Sequence, residues 1–244
     1  MELQDRLQRQ GQFLFRWRSY VPLLILALMI LAMWRFPAPP LCDPDIYSWV
    51  CLLVSLLGQV VRCDVVGHTP DGTSGRNTTV QVASRLNTVG MYSVVRHPLY
   101  WGNFMMWLGL AMLPHIWWLT LAVAAAFWIF YERIMLREEA FLREQFGADF
   151  TAWAAATPAF WPSFRQWKPW DLPFSWRNVL RREFSGFFAL VAVFLLLLAL
   201  RAHFAGQCLQ TGCGTRVALL AGVLAYATLF ALRRWTRVLH DQPR

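Results

Sequence analysis

The sequence predicts an all-α fold: a polytopic membrane helix bundle of about six transmembrane helices, two of them forming a short helical hairpin. Three observations carry this. Of the 244 residues, 57% are apolar. The apolar residues gather into six long runs, where a soluble chain of this length would carry one core. The basic residues fall in groups that six alternating spans bring to a single side.

The runs are Tyr20–Phe36, Ile46–Val61, Tyr100–Leu113, Ile116–Tyr131, Phe184–Leu200 and Val217–Leu232. A helix crossing the hydrocarbon needs roughly 20 mostly apolar residues, with about 17 as a working minimum. The first, fifth and sixth runs reach that length with their flanks, and the second nearly does. The third and fourth are shorter and meet at Pro114-His115, which makes them the hairpin. No Gly or Pro interrupts Ile116 to Phe146, so the fourth span runs on as one helix of roughly 45 Å. Its last turns project beyond the membrane, and Gly147 supplies the stop.

Arg6, Arg9, Arg16 and Arg18 precede the first run, but Pro37-Ala38-Pro39-Pro40 follows it where a signal peptide would have a small-residue cleavage site. The first run is therefore expected to stay in the mature chain as a span. Arg62, Arg76, Arg85 and Arg96, the group from Arg133 to Arg182, and Arg233, Arg234 and Arg237 all fall on the side of those first arginines. The positive-inside rule makes that side, and both termini, cytoplasmic; a bacterial inner membrane is the expected location. The net charge of +9 has two readings. It holds anionic headgroups, at about 1 kcal/mol per basic residue near the surface, or it sets topology alone. Nucleic acid is excluded as a partner, because the charge is spread over span-flanking loops and not gathered on one domain.

Cys208 and Cys213 lie in an expected external loop, close enough in sequence to bridge in an oxidising compartment. Cys42 is external too, whereas Cys51 and Cys63 belong to span two and its cytoplasmic end. No spacing matches a metal site. The chain divides into residues 1–62 (spans one and two), 63–175 (a core with the hairpin and a cytoplasmic helix) and 176–244 (a basic strip and a C-terminal two-span hairpin). The last part holds no constellation of reactive residues and is read as packing or oligomerisation structure.

Chemistry concentrates in two blocks. In Arg96-His97-Pro98-Leu99-Tyr100-Trp101-Gly102-Asn103, Pro98 suits the first position of a helix, with Arg96 and His97 at the membrane surface above that helix's positive end. Gly102, one turn inside, permits close approach of a backbone or a ligand. Helix N–H groups with Arg96 suit a carboxylate, and the rings of Tyr100 and Trp101 suit a cation. Alone, this block reads as an interface anchor, since Arg, His, Tyr and Trp all gather there without function. The second block, Glu132 with Arg137, Glu138 and Glu139, lies where the fourth helix leaves the membrane. Ionisable residues so near hydrocarbon usually face a cavity or a partner. The bland alternative is an exposed helix with pairs such as Glu139–Arg143, worth tenths of a kcal/mol.

Taken together, the two blocks resemble the isoprenylcysteine carboxyl methyltransferase and phospholipid methyltransferase superfamily of membrane enzymes. The matching pieces run from Gly90-Met91-Tyr92 and Arg96–Asn103, through Arg137-Glu138-Glu139-Ala140-Phe141-Leu142 and Phe146-Gly147-Ala148-Asp149-Phe150, to Pro158 and Pro162. The resemblance implies S-adenosylmethionine as cofactor, held on the cytoplasmic side by His97, Pro98, Tyr100, Gly102, Glu138 and Glu139. It implies a lipid or lipid-linked acceptor entering sideways from the bilayer. Arg96, Asn103 and Arg76 are the expected catalytic residues, with Asn77 and Gln81 beside them. Where members often carry tyrosines after the Phe-Gly pair, this chain has Phe150 and Trp153. The acceptor is expected to be an anionic oxygen (a carboxylate or lipid phosphate) or a headgroup amine. Arg76, Arg85, Arg96 and Arg165 lean towards the anion, although 22 of the 23 basic residues are arginine wherever they lie. Two other readings stand beside this one. A nicotinamide-dependent membrane reductase would share a distantly similar helix arrangement, and in a non-enzymatic scaffold both blocks would serve as anchors.

Overall fold

The computed structural model describes residues 20–37, 46–70 and 83–206, together with residues 10, 11, 13, 14, 17, 226, 228, 230 and 231. Every regular element among the described residues is helical: α1 (Val21–Arg35), α2 (Ile46–His68), α3 (Met91–Val94), α4 (Pro98–Met112), α5 (Trp117–Ala156), a 3-10 turn at Phe164–Gln166, and α6 (Trp176–Phe204). The all-α expectation holds. By length and composition α2, α5 and α6 are able to cross a membrane. The first and third apolar runs form helices of only 15 residues each, about 22 Å long at 1.5 Å per residue. The sixth run lies outside the described residues apart from the helical Tyr226, Thr228, Phe230 and Ala231.

The surfaces of these helices carry the pattern of a membrane bundle. Leu24, Leu28 and Leu31 of α1 are exposed at spacings of one turn, as are Leu53, Leu57 and Val60 of α2. Contiguous outward apolar stripes of this kind suit lipid rather than water. Inside, Met29 and Met33 of α1, Cys51 of α2, Leu110 and Leu113 of α4, Leu119 and Val123 of α5, and Leu190, Phe194 and Leu197 of α6 form one buried cluster.

Helices α2 and α4 touch along their backbones. A Cβ on Gly58 would collide with the carbonyl oxygen of Gly102, and one on Gly109 would collide with Ser55 Oγ and the carbonyl of Cys51. Small residues let the two helices meet this closely, and the polar Ser55 then closes the gap by donating to Met106 O at 3.1 Å. Close helix approach through small residues is the characteristic membrane solution, where burial of apolar surface offers little drive.

Two helices are longer than their apolar runs. The polar residues after Val61 were expected to leave the helix, yet α2 continues to His68, so the expected boundary between residues 62 and 63 falls within it. The added turns find partners: Arg62 pairs with Glu183 and Asp64 accepts from Trp170 Nε1 at 3.2 Å. Likewise α6 begins at Trp176, well ahead of Phe184, where a basic strip was expected. Ser175 is its N-cap, its hydroxyl accepting from Asn178 N at 3.2 Å, and the Asn178 amide in turn donates to Val66 O at 3.1 Å. An N-cap that accepts an orphan helix N–H is a strong local start signal. In α5 the expected break occurs at Gly147, at φ 51° and ψ −119°, after which the chain resumes helix to Ala156.

Candidate functional site

The site begins with the local chemistry of residues 90–97. Pro98 opens α4 with His97 as its N-cap, as the sequence reading expects. The preceding residues are held by backbone bonds from the chain after α5. Arg96 N donates to Pro158 O at 2.9 Å, Ser163 N to Val94 O at 3.0 Å, and Gly90 N to Lys168 O at 2.9 Å. Lys168 N donates to Ser93 Oγ at 2.9 Å, and Trp153 Nε1 to Tyr92 O at 3.0 Å. Trp153, one of the departures from the family's tyrosines, thus supplies an N–H to this segment, while Phe150 is fully buried beneath it.

Gly90 sits at φ +58°, and a Cβ there would enter the ring of Trp170. Trp170, just beyond the strap that Pro158 to Lys168 forms after α5, also stacks on His68 at 4.7 Å between centroids, joining that strap to the end of α2. Gly90→Ala is expected to combine backbone strain of about 1–3 kcal/mol with displacement of Trp170. Hydrogen exchange should then accelerate at the amides of residues 90–96, and unchanged exchange would disprove the clamp.

Held in this way, Arg96 and His97 meet the carboxylates of α5. Arg96 Nη1 donates to Glu139 Oε1 at 2.8 Å, and His97 Nε2 lies 3.0 Å from the same oxygen. An ionised carboxylate only accepts, so Nε2 carries the proton. The other ring nitrogen, Nδ1, lies 3.7 Å from Glu138 Oε2, beyond hydrogen-bond reach. Glu139 therefore turns to the facing segment, which disposes of the exposed-helix alternative for this carboxylate. Glu138 Oε2 and Arg96 Nε are buried with no hydrogen-bond partner among the described residues. Burial pushes the Tyr92 phenol well above its ordinary pKa, and the nearby Glu138 charge adds to the shift. Tyr92 thus remains a neutral hydroxyl.

The His97 ring lies near-parallel to Tyr100 at 5.7 Å, and Tyr100 lies 5.0 Å from Tyr131. Beyond them, Asn103 Nδ2 approaches the Tyr131 hydroxyl at 3.5 Å. Asn103 Oδ1 accepts from Arg62 Nη1 at 2.8 Å. Gly102 faces the other way, against Gly58 and the stem of Arg62, so its lack of a side chain serves the α2–α4 contact. Arg76, Asn77 and Gln81 lie outside the described residues, as do Cys42, Cys208 and Cys213. Cys63 is a free thiol, and Cys51 is buried. Of the arginines behind the anionic expectation, Arg85 is paired with Asp171 and Arg96 with Glu139, while Arg165 is exposed.

Three residues of this constellation escape a reading by motif: Gln59, Arg62 and Glu183. Arg62 Nε and Nη2 grip Glu183 in a two-pronged bond at 2.9 and 2.7 Å, and Gln59 Nε2 adds a bond at 3.2 Å. The one available signal was a lone carboxylate at the mouth of an apolar run, which is costly there unless partnered. Among the described residues, no group of three or more His, Cys, Asp or Glu side chains is arranged to hold a metal ion.

The family model described as phospholipid methyltransferase matches residues 49–149, which takes in most of α2, both facing blocks and the glycine break. Over these residues the chain is similar to the phospholipid methyltransferase family. Two curated proteins are similar to the chain. The cobalt-zinc-cadmium resistance protein CzcN of Cupriavidus metallidurans is 35% identical over 118 residues, 47% of this chain and 52% of that protein. The nickel-cobalt-cadmium resistance protein NccN of Alcaligenes xylosoxydans xylosoxydans is 32% identical over 149 residues, 60% of this chain and 62% of that protein. The chain thus spans between half and two thirds of the length of these relatives. No solved structure matches it significantly. Within the family segment both chemical blocks are present, but Glu183 and the strap from Pro158 to Lys168 lie beyond its end.

Proposed function

We propose that the protein transfers a methyl group from S-adenosylmethionine to a lipid-type acceptor in the membrane, at a site on the cytoplasmic side. One observation carries the reading. Arg96 and His97 converge with Glu138 and Glu139 within the family segment, leaving a buried donor, Arg96 Nε, and a buried acceptor, Glu138 Oε2, without partners. Those two atoms fit a ligand that has both a carboxylate and hydroxyl or amino donors. The neighbouring rings of Tyr100 and Tyr131 suit a sulfonium cation. S-adenosylmethionine, when bound, supplies an electrophilic methyl group.

The chain's own residues then have separable tasks. Glu138 accepts from ribose hydroxyls or the amino group, and Arg96 with the start of α4 holds the carboxylate. Glu139 keeps Arg96 and His97 in place, and the buried Pro98 starts the helix that presents Tyr100. Asn103, one turn deeper, lines the acceptor's side, with Arg76 assigned there by position alone. Methyl transfer is an in-line displacement, so orientation is the main contribution of such residues, about 7–11 kcal/mol of barrier where the fit is good. An ionised carboxylate or phosphate needs no base. A headgroup amine must first lose a proton, for which a carboxylate or His97 is available.

The positive-inside distribution supports cytoplasmic termini and a bacterial inner membrane. The relatives' names point to a setting of metal resistance. Methylating an anionic oxygen of a lipid removes one negative charge that the membrane surface offers to metal cations, which would join the two. The test is calorimetry in nanodiscs. S-adenosylhomocysteine is expected to bind with Kd on the order of micromolar, and His97→Ala or Glu138→Ala should weaken it sharply. No binding by the wild type would end the proposal. Lipid mass spectrometry with and without the protein, searching for the added mass of one methylene, would then name the acceptor.

A further inference from the structure

Glu183 lies on α6, outside the segment that matches the family, yet it is only 4% exposed and bonds both Gln59 and Arg62 of α2. A buried ion pair is weak evidence of stabilisation. Desolvating two charges offsets much of their attraction, and an apolar pair of similar volume often holds a fold as well or better. The geometry around the pair is more informative than its energy. With its other two nitrogens on Glu183, Arg62 uses Nη1 to hold Asn103 Oδ1 at 2.8 Å. The Asn103 NH2 in turn approaches the Tyr131 hydroxyl at 3.5 Å. Tyr131 leads through Tyr100 to His97. Four helices are thereby linked in one polar chain, running from α6 through α2 and α4 to α5.

Gln59 adds an independent observation. Its NH2 faces Glu183, which only accepts, so the orientation of the amide is settled by chemistry. Its oxygen is then left buried with no hydrogen-bond partner. A cluster built only to join helices would have every polar atom closed, because an unmet buried acceptor is costly. This cluster keeps one acceptor open beside Arg62.

We propose that Glu183 is a positioning residue of the methyl-transfer site, its two-pronged grip on Arg62 orienting Asn103 and Tyr131 beside the His97 cluster. Helix α6 is then a working part of the site as well as packing. This rests on the methyltransferase reading above.

The test uses the full chain in lipid nanodiscs. Transfer of tritiated methyl from S-adenosylmethionine into total lipid extract is compared with S-adenosylhomocysteine affinity and thermal unfolding. The proteins are the wild type, Glu183→Gln and the double variant Arg62→Met/Glu183→Leu. Both variants are expected to lose about a hundredfold in transfer, the scale of a misplacement of roughly 1 Å, while S-adenosylhomocysteine affinity stays near that of wild type. The double variant leaves no stranded charge and is expected to unfold near the wild-type temperature. Wild-type transfer by either folded variant overturns the positioning role, and so does a parallel loss of nucleoside binding. If the double variant fails to fold, the near-isosteric Glu183→Gln decides alone. A wild type that binds the nucleoside but methylates no lipid removes this proposal and leaves the cofactor reading standing. A wild type that does neither overturns both.

Discussion

Leucine in place of Gly58 should abolish the folded bundle, the largest effect expected of any single substitution in the described residues. Its Cβ alone would stand 2.8 Å from Met106 N and 2.9 Å from Met105 Cβ, and it would collide with the carbonyl of Gly102. Two of these atoms are backbone, which cannot swing aside as a long side chain can. Helices α2 and α4 must separate, breaking the Ser55–Met106 bond and moving Arg62 away from Asn103. Overpacking in a core commonly costs about 1–3 kcal/mol where side chains can shift, and backbone contact puts this case above that range. In detergent, Gly58→Leu should elute as aggregate on size exclusion, with no cooperative unfolding transition. Gly109→Ala, whose Cβ would collide with Ser55 Oγ and the carbonyl of Cys51 and stand 2.8 Å from Ser55 N, should also be strongly destabilising, lowering the unfolding temperature sharply. A monodisperse, wild-type-like Gly58→Leu would mean that the two helices do not meet as described.

Removal of Glu139 should produce the second large effect, this time at the site. Glu139 Oε1 accepts from both Arg96 and His97, and its side chain is 14% exposed. Glu139→Ala leaves a largely buried guanidinium and an imidazole N–H without an acceptor. Breaking a buried pair from one side costs about 3–5 kcal/mol, less where water reaches the partner. The 19% exposure of the Arg96 side chain puts the expected loss below that range, at about 2–3 kcal/mol. Glu139→Gln keeps one acceptor oxygen and should lose roughly half as much. Thermal unfolding reports the stability change, and calorimetry reports the accompanying fall in S-adenosylhomocysteine affinity. An alanine variant that unfolds at the wild-type temperature would show that the two blocks are not joined through Glu139.

Gly90→Ala and Glu183→Gln extend the test to the two parts that lie outside the motifs, the strap after α5 and helix α6. If both leave their readouts unchanged, the site is confined to the family segment. If both act as expected, four helices and a strap are needed to hold two short blocks in place.

Much of the fold was legible in the residues themselves. Apolar runs mark helices because a backbone in lipid must satisfy its own hydrogen bonds. Pro98 and Gly147 mark a start and a break because one lacks an N–H and the other tolerates positive φ. The facing of Arg96-His97 against Glu138-Glu139 was also legible, since charges beside hydrocarbon seek partners and one hairpin joins the two blocks. The ends of helices were less legible. The polar residues from Arg62 to His68 read as loop by composition, but partners on α6 and the strap keep them helical.

By itself, then, the sequence determined an all-helical membrane chain, its polar end, and the two blocks that converge there, because hydropathy, charge and proline act locally. Only the tertiary structure decided that Gly102 packs against Gly58, that Trp170 covers Gly90, and that Glu183 grips Arg62 across 121 positions of sequence. Each of these depends on which faces of distant helices meet, and no local pattern specifies a contact between residues so far apart along the chain.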